Sequence, residues 1–143
     1  MRRIIFTLCA ASLIINFFFA CTGQKKTEET YSNWKGKWTR VGAEITISNV
    51  TEKFLELSFW GFSGPHIGEL KGPAFFTADN KAVLDYKDEY GDKAIKFEFV
   101  LDGDKLSISV TEGDETGIFG AGVYMSGVYM KNAQPQENSE INK

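Results

Sequence analysis

The sequence predicts an all-β domain, namely a small antiparallel up-and-down β-barrel of about eight strands, with a β-sandwich as the alternative. Apolar and polar residues alternate with a period of two over several segments. Such alternation places one set of side chains on a buried face and the other set in water. Turn-forming residues separate the segments at intervals of roughly ten residues, which is typical of small barrels and sandwiches. No long segment shows the 3.6-residue period of an amphipathic helix.

The clearest alternation covers residues 45–50, 55–59, 95–101 and 106–110. Weaker strand candidates cover residues 67–71, 74–78, 82–86 and 123–130. Alternation favours an antiparallel sheet, because parallel strands tend to be apolar on both faces. Asp102-Gly103-Asp104 separates two of the clearest segments and predicts a tight hairpin. Closing such hairpins into a barrel would also remove exposed sheet edges.

The N-terminus has the pattern of a secretory signal peptide. Arg2 and Arg3 supply a positive start, and residues 4–20 are almost entirely apolar. A positive segment, an apolar segment and a small residue before the cleavage site define such signals. The apolar run is also at the lower limit of what crosses a bilayer as a helix, so an uncleaved signal anchor is the alternative.

Ala20-Cys21 closes this segment and resembles the lipobox of bacterial lipoproteins. In that motif a small residue precedes a cysteine that is lipidated and becomes the mature N-terminus. Phe18 and Phe19 stand where Leu and a small or β-branched residue are usual. The resemblance implies that Cys21 carries acyl chains such as palmitate, and two chains suffice for stable anchoring. We therefore expect a lipoprotein of the bacterial cell envelope that is lipid-anchored to the outer membrane, on its periplasmic or surface face.

The 143-residue chain suits one folded domain. The segments on either side of it contain few large apolar side chains and cannot bury enough surface to order themselves. We expect a signal peptide at 1–20, a flexible tether at 21–32, a β-barrel domain at 33–131 and a disordered tail at 132–143.

Charge and cysteine content exclude several classes of function. Removal of Arg2 and Arg3 with the signal leaves 14 basic and 19 acidic residues, and therefore a net charge of −5. This balance argues against nucleic acid as a partner and against electrostatic adsorption to anionic lipid. The two cysteines are Cys9, in the signal, and Cys21. The folded part therefore has no cysteine for a disulfide, a thiol nucleophile or a zinc site.

Gly36-Lys37-Trp38 precedes the first clear strand and resembles the G-x-W opening of the calycin barrels, which are the lipocalins, fatty-acid-binding proteins and avidins. The resemblance implies that Trp38 packs across the barrel floor against a basic side chain of the last strand, for which Lys131 is the candidate. Residues 120–123 and the closing stretch at 127–131 look like the end of small bacterial β-barrel lipoproteins. They are also faintly similar to the periplasmic lysozyme inhibitors. A short barrel of this kind is filled by its own side chains or holds one small ligand.

The sequence contains few candidates for a catalytic, metal-binding or phosphate-binding site. His66 lies near Ser63, but the sequence around them does not match the G-x-S-x-G nucleophile elbow. The acidic residues at 85–92 and 102–104 lack EF-hand spacing and suit solvated hairpin tips. The glycine-rich stretch 117–122 follows no phosphate-binding pattern and suits a tight corner or a close backbone approach. We expect no catalytic residues, no bound metal and no cofactor.

The candidate binding loop contains Trp60, Phe62 and His66. Large aromatic side chains in a Gly- and Pro-containing loop either fold back as a lid on the barrel or face a partner, and the lid is the favoured interpretation. The sequence as a whole favours a non-enzymatic, membrane-anchored module that binds a small apolar ligand or an envelope protein. Inhibition of a lysozyme-type cell-wall hydrolase and a structural or assembly role are the alternatives.

Overall fold

The computed structural model describes residues 31–87 and 93–132. Within them, eight strands close into one antiparallel up-and-down β-barrel. The prediction of an all-β barrel of about eight strands is confirmed over the sandwich alternative. The strands are β1 (Gly36–Arg40), β2 (Ala43–Val50), β3 (Phe54–Ser63), β4 (His66–Ala78), β5 (Lys81–Lys87), β6 (Ala94–Asp102), β7 (Lys105–Glu112) and β8 (Gly127–Lys131).

The first and last strands close the barrel. Each strand pairs with the next along the chain, and β1 pairs with β8 through Trp38 opposite Lys131 and Thr39 opposite Met130. Closure gives every strand a neighbour on each side, so no strand is a free edge along its whole length, although β4 has no β5 partner before Phe75 within the described residues.

The inward faces of the strands are those that the alternation predicts. In β3, Leu55, Leu57 and Phe59 are buried, whereas Glu56 and Trp60 are exposed. β6 and β7 show the same alternation of buried and more exposed positions. Because successive side chains in a strand point to opposite faces, the apolar set fills the barrel and the other set meets solvent.

β4 differs from the sequence prediction. The segments predicted at 67–71 and 74–78 form one strand that passes through Gly72 and Pro73. Proline cannot donate a ladder hydrogen bond and is tolerated where a strand lacks a partner on one side. β4 pairs with β3 from His66 to Phe75, but with β5 only from Phe75 onwards. Among the described residues, β4 therefore has a partner strand on one side only at Pro73, and a proline is tolerated there.

Two further strand boundaries differ. Gly36 and Trp38 lie within β1 rather than before the first strand. The strand predicted at 123–130 begins only at Gly127, because residues 113–126 form a long connection between β7 and β8. Glycines in and beside this connection have positive φ, among them Gly120 at 114° and Gly127 at 140°, and these values are unfavourable for other residues.

The two ends of the barrel are distinct. The chain enters β1 at the end that carries the turns after β2, β4 and β6, and we call this the tether end. The opposite end carries the β1–β2 turn, the β3–β4 turn and the β7–β8 connection. At the tether end, Tyr31 packs against Phe76 with 4.6 Å between ring centroids. Packing of the domain therefore includes Tyr31, two residues before the predicted start at Asn33.

Replacing Trp38 by Ala is expected to lower the free energy of unfolding by about 3–5 kcal/mol, the usual range for a buried large aromatic side chain. Trp38 is fully buried. Trp60→Ala is the matched control, because Trp60 lies half-exposed on the outer face of β3, and it should cost about 1 kcal/mol or less. Denaturant unfolding of both variants measures the difference, and equal losses would place Trp38 outside the core.

Candidate binding surface

The tether end of the barrel is closed by two tryptophans. Trp34 and Trp38 are both fully buried. The Trp38 indole N–H donates to the Trp34 carbonyl oxygen at 2.9 Å, and the Trp34 indole N–H donates to the Asp79 carbonyl oxygen at 3.3 Å. Both indole N–H groups are satisfied, as buried donors require. This end presents no opening to a ligand at the two indoles.

The structure brings together the three residues that the calycin resemblance assigns to the floor. The Lys131 ammonium lies 5.2 Å from the centroid of the Trp38 ring. The same ammonium donates to the Asn33 carbonyl oxygen at 2.6 Å. Gly36 has φ of 130°, and a Cβ atom there would lie 3.5 Å from the Lys131 Cε. The cation thus lies over the indole and ties the entering chain to the last strand.

The opposite end is closed by the β7–β8 connection, which we call the plug (residues 113–126). Phe119 is buried, with its ring centroid 5.1 Å from that of Phe59 and 6.3 Å from those of Tyr86 and Phe97. The glycine-rich stretch is therefore the backbone of a plug whose apolar side chain enters the barrel. Sequence reasoning identified a close approach or corner here but did not identify Phe119.

The plug fits into a notch formed by two glycines. Gly61 and Gly68 are direct cross-strand partners on β3 and β4. A Cβ at Gly68 would lie 2.4 Å from the Phe119 Cβ and 2.9 Å from Val123 Cγ1, so Gly68 provides space that the plug occupies. A Cβ at Gly61 would lie 2.7 Å from Phe59 Cζ and 3.1 Å from Val123 Cγ1, so Gly61 makes room chiefly for the Phe59 ring and also for the plug.

A buried carboxylate holds the plug against the start of β8. Glu115 accepts hydrogen bonds from the backbone N–H groups of Met125 and Ser126, the latter at 3.0 Å. The Tyr129 hydroxyl donates to the Met125 carbonyl oxygen at 2.8 Å, and burial raises the pKa of this phenol. Arg40 lies over the Tyr129 ring at 5.2 Å and donates to the Tyr124 carbonyl oxygen. No sequence signal marked Glu115, because its partners are ten and eleven positions away.

Side chains fill the barrel interior between floor and plug. An internal space large enough for a water molecule would expose the atoms that line it. The interior side chains with no exposed surface come from every part of the barrel wall, and they include Ile45, Leu55, Ala74, Ala82, Phe97, Phe99, Leu106 and Tyr129. Around these residues the barrel holds a packed core and no ligand cavity.

The exposed apolar side chains gather at the plug end. Eight large hydrophobic residues are exposed in the described parts of the chain, and five of them lie on the β1–β2 turn, the β3–β4 hairpin and the plug. We call these five the apolar rim. They are Val41 (97% exposed), Trp60 (42%), Phe62 (49%), Ile67 (60%) and Tyr124 (43%).

The predicted binding loop is a β-hairpin. Trp60 and Phe62 lie in β3, Gly64 and Pro65 form the turn, and His66 begins β4. The interpretation of the two aromatic residues as a lid is wrong, because both side chains are exposed on the outer face and the plug closes the barrel instead. His66 is exposed beside this hairpin turn.

The other candidate chemistry does not assemble into a site. Ser63 and His66 are cross-strand partners, but no hydrogen bond joins their side chains in the described structure. Residues 31–87 and 93–132 contain no group of three or more His, Cys, Asp or Glu that could hold a metal ion. Asp88, Glu89 and Asp92 of the predicted acidic cluster lie outside the described residues, as does Cys21. Among the residues described, none belongs to a helix long and apolar enough to cross a membrane.

Fold and surface together define the class of this protein, a small closed up-and-down β-barrel with a side-chain-filled interior and an apolar rim. No protein-family model matches the chain, and no curated protein or solved structure matches it either.

Replacing Gly68 by Ala is expected to destabilise the protein by about 1–3 kcal/mol, because the added methyl group overlaps Phe119. Gly72→Ala is the matched control on the same strand. A Cβ there meets only Leu84 Cδ1, at 3.9 Å, which is ordinary contact. Thermal unfolding of the two variants measures the difference. If Gly68→Ala unfolds like Gly72→Ala, the plug does not occupy the notch in solution.

Proposed function

We propose that this protein is a lipid-anchored, non-enzymatic binding module of the bacterial cell envelope, and that its barrel recognises a protein partner through its outer surface. One observation carries the proposal: the barrel interior is filled by its own side chains, while most of the exposed large apolar residues gather at one end. Exposed apolar clusters on soluble domains mark interaction sites, because their burial by a partner is favourable.

The expected anchor and the apolar rim lie at opposite ends. Cys21 precedes Tyr31, the first residue that the structure describes, by a segment that can span roughly 17 Å if it is flexible. The chain enters the barrel at the tether end. β3 has 10 residues, and a tilted strand of this length places the rim about 25 Å from the tether end. An anchor at Cys21 would therefore direct the rim away from the lipid surface.

This arrangement favours a protein partner over a small apolar ligand. A ligand held in the barrel would need space that Phe119 and the other core side chains occupy. A partner at the rim needs no such space, and the rim lies on rigid strands and a plug held by hydrogen bonds. Rigid surfaces lose little entropy on binding.

Cys21→Ala is expected to abolish acyl labelling and to release the chain from the membrane fraction. The physical reason is that the acyl chains on Cys21 supply the membrane affinity. Metabolic labelling with an alkyne fatty acid, followed by fractionation, measures both effects. Cys9→Ala is the matched control and should keep label and location. A Cys21→Ala chain that is labelled and retained like the unaltered chain would contradict the proposal.

The full chain is expected to show no saturable binding of an apolar dye such as Nile red inside the barrel. The contrary result is stoichiometric dye binding that is unchanged by Phe62→Ser at the rim and lost on Phe97→Trp in the core. It would locate a ligand in the barrel interior. That result would replace the protein partner by a small apolar ligand. Dye binding that Phe62→Ser removes would instead locate the dye on the apolar rim.

A further inference from the structure

We infer that the apolar rim takes a segment of a partner protein that presents an arginine or lysine side chain next to apolar residues. This inference rests on the proposed function and adds the chemistry of the partner. Trp60, flanked by two carboxylates, is the feature that selects the cation.

The rim is one continuous surface. The N–H of Phe62 donates to the Gly42 carbonyl oxygen at 2.8 Å, so the β1–β2 turn that carries Val41 lies against β3. Phe62 is the direct cross-strand partner of Ile67, and its ring centroid lies 5.3 Å from that of Trp60. Val41, Phe62 and Tyr124 also line one groove. Cross-strand partners lie side by side on one face, so a single ligand segment can contact all these residues.

Carboxylates flank the rim on both sides of Trp60. Its cross-strand partner on β2 is Glu44, and its partner on β4 is Glu69. Glu44 also forms an ion pair with Lys37 at 2.9 Å, whereas Glu69 forms none within the described residues. The face of an indole attracts cations, and carboxylates accept charge-assisted hydrogen bonds from arginine or lysine. Aromatic and acidic side chains at this spacing suit one basic side chain between them.

Arg40, the cation beside the plug, is turned away from the ligand side. The Arg40 guanidinium lies over the Tyr129 ring and donates to the Tyr124 and Val41 carbonyl oxygens. Arg40 therefore holds the plug.

Lys37 is paired with Glu44, and Lys71 follows two positions after Glu69 on β4. Within residues 31–87 and 93–132, Glu69 forms no ion pair and supplies the unpaired negative charge beside Trp60.

The same charges discriminate between occupants. An anionic lipid surface would be repelled by the unpaired Glu69, because such surfaces attract basic segments. If two copies met rim to rim, their Glu69 carboxylates would be brought onto one shared apolar surface, and like charges placed together are unfavourable. A basic and apolar segment meets neither obstacle, so charge complementarity favours it.

Three peptides test the inference. In the first, leucine alternates with arginine; in the second, with serine; and in the third, with glutamate. Binding is measured by thermophoresis with the full chain held in nanodiscs of phosphatidylcholine. The arginine–leucine peptide should bind at least about tenfold more tightly than the serine–leucine peptide at low salt, and the preference should fall as salt rises. The glutamate–leucine peptide should bind more weakly than either.

Variants locate the binding. Glu69→Gln and Trp60→Leu should each reduce the preference for the arginine–leucine peptide over the serine–leucine peptide. Phe62→Ser should lower the affinity for both peptides. Glu56→Gln is the matched control, because Glu56 lies on the outer face of the same strand four positions from Trp60, about 13 Å away. It should leave the preference unchanged.

Several results would overturn the inference. They are equal binding of the arginine and glutamate peptides, absence of arginine–leucine binding, and a preference that Glu69→Gln and Glu56→Gln reduce equally. Concentration-dependent dimerisation that Phe62→Ser abolishes would assign the rim to a second copy instead. Release by Cys21→Ala, measured separately, would still support the anchored module, so failure of the partner chemistry and failure of the proposed function are distinguishable.

Discussion

The structure depends on the short contact between its first and last strands. β1 and β8 have five residues each and share two register pairs, of which Trp38 opposite Lys131 is one. A backbone hydrogen bond from the Asn132 N–H to the Lys37 carbonyl oxygen extends the contact at 2.9 Å. The Lys131 ammonium then joins the indole face of Trp38 to the Asn33 carbonyl. Without this junction the sheet would have two free edges, and the filled core would lose its closed wall.

Closure around a filled core decides where recognition can occur. A barrel of this size has room for its own side chains or for one small ligand, and here Phe119 and the aromatic residues around it take the space. Polar and charged side chains cover most of the outward positions, and the apolar rim is the main exception. The plug contributes to both effects, because it fills the interior with Phe119 and adds Tyr124 to the rim.

Local patterns predicted the strands, and long-range contacts explain what they missed. The alternation in β3 and β6 needs only neighbouring residues, so the sequence was sufficient to place it. Gly72 and Pro73 looked like a break, since the sequence does not reveal that β4 lacks a partner there on one side within residues 31–87 and 93–132. Trp60 and Phe62 were identified as candidates but placed in a loop, because Gly and Pro near them resemble loop composition. The contact of Glu115 with Met125 has no local signature at all. The lipid anchor at Cys21 remains a prediction from the signal pattern.

The notch formed by Gly61 and Gly68 has a consequence for the history of the sequence. Gly68 shares its volume with Phe119 and Val123, which are distant from it along the chain. A larger residue at position 68 is tolerated only together with a smaller residue in the plug. Proteins that descend from a common ancestor with this chain are therefore expected to change positions 68 and 119 together. Such covariation would be visible in an alignment of these sequences, even where their apolar rims have diverged to suit different partners.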